Sequence, residues 1–455
     1  MPDACPYVPL HPNKRIMRGI ILICTVTLAM QGLAQRTWTI SQCMQYAVEH
    51  NHEVRLQAFT LEDREASQQQ SVGALLPAIE GSISGQYNFG RAVDPETNTY
   101  TNVSTFYNGY SLSASMPVFD GLQRINSLRS ARTDVLMGRS QLQAQKDATA
   151  RQVLQTCTQV LYYQGCMGFA LQKRHESELL LRQTQVMAEL GQKGEADVAQ
   201  MQATYAADDF EVTHQQGLLD KAMLTLKQLM HYPLTDSLQV APCEELSWDS
   251  DTVDGEALYR QARLYNPTIR QAELSLRSAR YAWRASRGAL FPSLFLGAGV
   301  STTYYRQLGS MQSYSFQDQF RNNAGQYVYA TLSFPLLSRL SILSNIRRKR
   351  NSVRRAEEQL DHQSHELQKL ILETITDQQN SLRESEKMRM RVEADSIASR
   401  LTTRKYEEGL ASPIDVQTSS VTLLQSRAQW LSSRLSYMYN HRMLNYYKGI
   451  PLWTE

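Results

Sequence analysis

Two stretches of this chain, residues 118 to 232 and 336 to 412, contain no proline. Proline lacks the backbone donor a helix interior uses, and its ring clashes with the preceding turn, so long proline-free runs are where long helices are permitted. Both runs are rich in Gln, Ala, Leu, Glu, Arg and Lys, a composition that favours helix. Val353, Ala356, Leu360, Gln363, Leu367 and Leu370 step by three and four, and so do Val421, Leu424, Ala428, Leu431, Leu435 and Met438. That spacing predicts coiled-coil packing along a seam loosened by small and polar residues. Folded back as an antiparallel pair, the 115 residues of the first run extend on the order of 80 Å.

Four segments break the helical pattern with period-two alternation, near 78–90, 106–118, 293–305 and 326–336. Ile79, Gly81, Ile83, Gly85, Tyr87 and Phe89 alternate with Glu80, Ser82, Ser84, Gln86 and Asn88. Phe106, Tyr110, Leu112, Ala114, Met116 and Val118 face away from Tyr107, Gly109, Ser111, Ser113 and Ser115. Leu294, Leu296, Ala298, Val300 and Tyr304 oppose Gly297, Gly299, Ser301 and Thr303; Val328, Ala330, Leu332 and Phe334 oppose Tyr327, Tyr329, Thr331 and Ser333. Alternation of this kind marks a strand with one apolar and one polar face, as a half-buried soluble strand also has. Each segment is close to the roughly 9 to 11 residues a membrane-spanning strand needs. Their Ser- and Gly-rich faces suit a wet lumen, and Tyr87, Phe89, Phe106 and Tyr304 gather toward the connecting loops as an interfacial girdle does. Four strands are too few for one chain to close, since the smallest membrane barrels use about eight and an open edge leaves unpaired backbone in lipid. Several chains must then share a barrel: three give twelve strands, two give eight.

The amino terminus agrees with export. Lys14, Arg15 and Arg18 precede an apolar run from Gly19 to Met30, and Gly32 and Ala34 set up cleavage before Gln35. That is the grammar of a secretory signal over residues 1–34, with Met17 a second candidate for the start. An uncleaved anchor is the alternative, although the run is short against the roughly 20 residues a span requires. Cys24 follows the bulky Ile23, which does not suit lipid attachment. No later segment approaches 18 consecutive apolar residues. The formal net charge of +3 gives no reason to expect nucleic acid. Of the cysteines that remain after cleavage, Cys43, Cys157, Cys166 and Cys243, none has zinc-ligand spacing. Cys157 and Cys166, about 13 Å apart along a helix, cannot bridge each other. Buried free thiols are the expectation, with a Cys43–Cys243 bridge the alternative.

The two halves of the chain match at a near-constant offset. Asn51 and Pro77 pair with Asn266 and Pro292, 215 residues on; Pro117, Gly191, Asp197 and Val198 pair with Pro335, Gly409, Asp415 and Val416, 218 residues on. Two repeats follow, 35–245 and 246–455, each reading helix, strand, loop, strand, helical hairpin. The Gly191 and Gly409 motifs fall where each hairpin reaches its far tip.

These residues carry a family resemblance. The run Trp38-Thr39-Ile40-Ser41-Gln42-Cys43, followed by Ala47 and Asn51, resembles the opening helix of TolC-like outer membrane efflux proteins; so does its echo from Ala257 through Asn266-Pro267. Thr39 with Gln42 also fits a capping box, and Asp254 an N-cap. The stretch from Tyr406 through Gly409 to Asp415-Val416 is similar to that family's most recognisable motif. The similarity covers roughly Trp38 to Pro451. It implies a mainly α fold with a β-barrel contribution: long coiled-coil hairpins forming a helical barrel, and four strands per chain completing a twelve-stranded barrel shared by a homotrimer. The barrel sits in outer-membrane lipid and the helices extend into the periplasm, where a periplasmic adaptor and an inner-membrane pump dock at the tips. No cofactor is implied.

Family members close the tip with a tyrosine, an arginine and acidic residues. Tyr406, Asp197 and Asp415 match this pattern, whereas Ala411 replaces the arginine and Thr418 the second acid. The resemblance therefore implies a periplasmic gate with an incomplete latch, with a Tyr406–Asp197 hydrogen bond and a ring of Asp415 carboxylates; three like charges near an axis raise one another's pKa and attract cations. The plainer alternative makes Asp197 and Asp415 helix caps. His362 and His365 at i and i+3 read as a solvated face rather than a metal site. Arg347, Arg348, Lys349 and Arg350 follow the fourth strand, with Arg129 and Arg132 at repeat-equivalent positions; they read as a solvated face or a belt near inner-leaflet headgroups. No catalytic constellation such as HExxH, a P-loop or a nucleophile elbow occurs. Three functions remain: an export duct, a periplasmic coiled-coil adaptor without the four strands, and a nutrient porin with many more strands and no long helices.

Overall fold

The computed structural model describes residues 37–93, 98–102, 104–242, 253–308, 315–336 and 340–454. The expected signal sequence and Cys243 lie outside them. The first half runs β1 (Thr37–Trp38), α1 (Ile40–His50), α2 (His52–Gly73), β2 (Ala78–Asn88), β3 (Arg91–Val93), β4 (Tyr100–Asn102), β5 (Thr105–Phe119), α3 (Gln123–Glu189) and α4 (Glu195–Met230). The second runs β6 (Gln239–Val240), α5 (Gly255–Tyr265), α6 (Pro267–Gly288), β7 (Ser293–Gln307), α7 (Phe316–Asn322), β8 (Gly325–Ser333), α8 (Ser341–Glu407) and α9 (Pro413–Tyr447). Helix lengths recur between halves: 11 residues in α1 and α5, 22 in α2 and α6, 67 in α3 and α8. A 67-residue helix is about 100 Å long.

The repeated asparagines have a local cause. Asn51 caps α2, its Oδ1 accepting from the Glu53 and Val54 amides at 2.8 and 3.4 Å. Asn266 does the same for α6 with Thr268 and Ile269 at 2.9 and 3.2 Å. Each lets one helix stop and another begin at a bend. Thr39 and Gln42 form the expected capping box on α1, and Asp254 Oδ1 caps α5 through the Glu256 amide at 3.0 Å.

α3 with α4 and α8 with α9 form two long antiparallel hairpins. Their largest core lies where the short helices α1 and α5 pack across them: Met44, Leu154, Leu226, Met230, Ile269, Ile371, Met438 and Leu444 are all fully buried there. Along α8 the seam departs from the heptad expected. Leu367 and Ile371 are buried while Leu370 is exposed, because a straight helix has 3.6 residues per turn and drifts off a strict 3.5 repeat. Cys43 and Cys157 meet in this core as buried thiols. Contact with Cys43, and then burial, pushes the Cys157 thiol well above its ordinary range.

The sheet order is β2-β5-β7-β8, antiparallel throughout. Register places Ile79 opposite Ala114, Leu112 opposite Val300, and Ala298 opposite Val328. Directly opposed residues share a face, so the four apolar faces combine into one. The other face carries Ser82 opposite Ser111, and Ser113 opposite Gly299. A bulge between Pro117 and Phe119 sets Phe119 opposite Leu294. Sequence reading did not anticipate the parallel β1–β6 pair, the β3–β4 hairpin or α7.

Candidate functional site: the hairpin tips and the apolar sheet face

Each hairpin tip begins with a glycine in the left-handed region. Gly191 has φ +75° and Gly409 φ +77°, a conformation that costs other residues roughly 1 kcal/mol or more. The turn returns backbone bonds to the ending helix: the Gly191 amide to the Ala188 carbonyl and Gln192 to Met187; Gly409 to Tyr406 and Leu410 to Lys405. The next helix then starts at Gly194 or Ser412, and the aspartate stands three residues on. The Gly194 amide donates to Asp197 Oδ2 at 3.3 Å. The Ser412 amide and hydroxyl donate to Asp415 Oδ2 at 2.9 and 2.7 Å, while Ser412 Oγ accepts from the Asp415 amide. These bonds hold the Asp415 carboxyl below its usual range. Both aspartates are thus N3 partners in capping arrangements rather than the N-caps themselves. Val416 turns into the buried tip cluster, and Val198 is half-buried. Thr418 bonds its own helix, Oγ1 to the Ile414 carbonyl at 2.8 Å.

Tyr406 sits between the hairpins, 2% exposed, among Met201, Val416, Leu180, Leu181 and Ala411. Its expected partner Asp197 is not the one it bonds. Thr184 of α3 donates to the Leu180 carbonyl, which leaves Thr184 Oγ1 to accept from the Tyr406 hydroxyl at 2.8 Å. Asp197 is occupied by its own turn and acts on Tyr406 only as a nearby charge, which adds to burial in raising the phenol pKa. A cation is present that sequence reading missed. Lys193, in the first turn, lies 4.1 Å from the centre of the Tyr406 ring and donates to the Tyr406 carbonyl at 3.3 Å. With Ala411 in the arginine position, the positive charge reaches the tyrosine from the opposite hairpin.

Beyond the tip, all four long helices line a cleft of about 610 Å³. Lys173 Nζ and Asp208 Oδ1 pair there at 2.8 Å, their side chains 13% and 6% exposed. The hairpin geometry was the available clue: Lys173 lies 18 residues before Gly191 and Asp208 17 after it. His362 and His365 lie on an exposed face of α8, and the Arg347–Arg350 run, Arg129 and Arg132 are likewise exposed.

Away from its loop end, the sheet's apolar face has no cover among the described residues. Ile79 is 73% exposed, Ile83 77% and Val328 84%. A contiguous apolar face of this kind marks a membrane or partner surface. Among the described residues, no helix is long and apolar enough to cross a membrane.

The sequence profile described as "Outer membrane efflux protein" matches this chain twice, over residues 43–230 and 258–445. The chain belongs to the outer membrane efflux protein family. It is 19% identical over 447 residues to the proteases secretion protein PrtF of Dickeya chrysanthemi, covering 94% of this chain and 93% of that one. In structure it resembles CusC with TM-score 0.75 at 16% identity, over 90% of this chain and 91% of the other. It resembles VceC of Vibrio cholerae, also with TM-score 0.75, at 12% identity over 91% and 96%. This member of the outer membrane efflux family is accordingly an outer-membrane channel of an export system, extending into the periplasm. The coiled-coil adaptor and the porin fall away: the four strands are present, and so are the long helices.

Proposed function

We propose that three copies of this chain share one twelve-stranded barrel and form a passive exit duct, to which a periplasmic adaptor and an inner-membrane pump dock at the helical tips. The observation that carries the reading is an open four-stranded sheet with one continuous apolar face and two outer edges, β2 and β8, that no strand among the described residues pairs. Lipid covers the face, and only closure with neighbouring copies satisfies the edges. Two repeats of 35–245 and 246–455 give each copy two hairpins for the helical wall.

The tips are the gate. Tyr406 ties α8 to α3 through Thr184, and Lys193 clamps Tyr406 from the other turn; both contacts join hairpins that must separate for the duct to widen. Asp415, exposed at the tip, contributes one carboxylate per copy near the axis, with Asp197 and Thr418 beside the turns. Planar-bilayer recording tests this. Tyr406→Phe, which loses a neutral hydrogen bond worth about 0.5 to 1.5 kcal/mol, and Lys193→Gln, which loses one from a charged group worth about 1.5 to 3 kcal/mol, should each raise basal conductance, the second more. Asp415→Asn should lower cation preference, because it removes one negative charge per copy from the tip. Unchanged conductance and selectivity in all three, with the assembly intact, would reduce these residues to caps and packing.

A further inference from the structure

β8 ends its pairing with β7 at Ser301–Gly325, yet β7 continues to Gln307 and stays paired with β5 on its other side throughout. Among the described residues, one edge of residues 302–307 is therefore without a strand, and α7 occupies it. Gln319 takes both edge groups of Tyr305: the Tyr305 amide donates to Gln319 Oε1 at 2.9 Å, and Gln319 Nε2 donates to the Tyr305 carbonyl at 2.8 Å. Asn323 Nδ2 donates to the Thr303 carbonyl at 2.8 Å, and the Thr302 hydroxyl to the Phe320 carbonyl at 2.6 Å. Satisfying a strand edge with side chains matters most where water does not compete for those groups.

α7 also lies on a definite face. Phe316 packs 5.3 Å from the Tyr304 ring and Phe320 5.3 Å from the Tyr110 ring. Tyr110 stands opposite Thr302, and Tyr304 opposite Asn108, in the same register that aligns Leu112 with Val300; both tyrosines belong to the apolar face, not the polar one. Phe316 and Phe320 still expose 46% and 41% of their surface. They extend the aromatic row of Tyr87, Phe106 and Tyr304, whose successive ring centres are 4.7 and 6.3 Å apart. Arg306, opposite Phe106, and Arg321 on α7 are exposed beside it.

We infer that α7 is a membrane-interface helix: it lies against the outside of the barrel at the loop end, with Phe316 and Phe320 seated in the headgroup region of the outer leaflet. Aromatic rings with cationic neighbours fit that region, where one side is apolar and the other wet. The inference rests on the assignment of the apolar face to lipid, and the test separates the two. Nitroxide labels are placed in the intact assembly, in a Cys243→Ser background, through Phe316→Cys on α7, Val328→Cys in the apolar band and Glu386→Cys on the exposed surface of α8. In phosphatidylglycerol-containing vesicles, collision with oxygen is compared with collision with a water-soluble nickel chelate. The oxygen-to-nickel ratio at 316 should exceed that at 386 severalfold and fall below that at 328. A lipid-like ratio at 328 with a ratio at 316 equal to that at 386 overturns the interface helix alone. Water-like ratios at both 328 and 316 overturn the barrel reading, and this inference with it.

Discussion

At the scale of residues, the sharpest energetic feature is the Lys173–Asp208 pair. Removing one partner strands the other, largely buried charge, so Lys173→Met should destabilise the hairpins by about 3 to 5 kcal/mol. The double change Lys173→Met with Asp208→Leu should recover most of that, as read by thermal unfolding in detergent; equal losses in single and double variants would refute the pairing. Asp415 makes a pH-dependent contribution. Its carboxyl is held below the usual range by Ser412, so the capping turn is fully supported above the ordinary carboxylate pKa and loses that support as pH falls through the lowered value. Hydrogen exchange of the 412–416 segment should be faster in Asp415→Asn than in the parent at neutral pH, and the two should converge in acid. A difference that persists in acid would show that the cap is not what Asp415 supplies. Much of the residue-level picture was legible beforehand. Gly191, Gly409 and the aspartates three residues into the next helix mark turns because only certain residues suit those backbone positions. Lys193 was not legible: a lysine in a turn carries no periodic signal, and its partner comes from the other hairpin.

At the scale of elements, the strands were readable because a membrane strand declares both faces, and each came within a few residues of its observed ends. The seam of α8 was readable only for its first turns, since drift between 3.5 and 3.6 residues per turn accumulates unseen in a short window. The exchange of Leu370 for Ile371 makes this testable. Ile371→Ala should cost about 2 to 5 kcal/mol, the usual loss for a buried aliphatic side chain, while Leu370→Ala should stay near the 0.5 kcal/mol typical of surface changes. Comparable losses at the two positions would restore the strict heptad. α7 escaped sequence reading altogether: seven residues are too few for periodicity to register, and its role is defined by a strand edge formed elsewhere.

At the scale of the whole molecule, one arithmetic fact organises the rest. Each chain supplies four long strands, an apolar face exposed from Ile79 to Val328, and two edges with no partner among its described residues. The apolar face is not tolerable in water, and the open edges are not tolerable in lipid, so an isolated copy suits neither and the fold of the chain presupposes its assembly. The most direct measurement is the mass of the purified protein in detergent, corrected for bound detergent. Three copies of the chain per particle are expected; a stable monomer or dimer would rule out the shared twelve-stranded barrel.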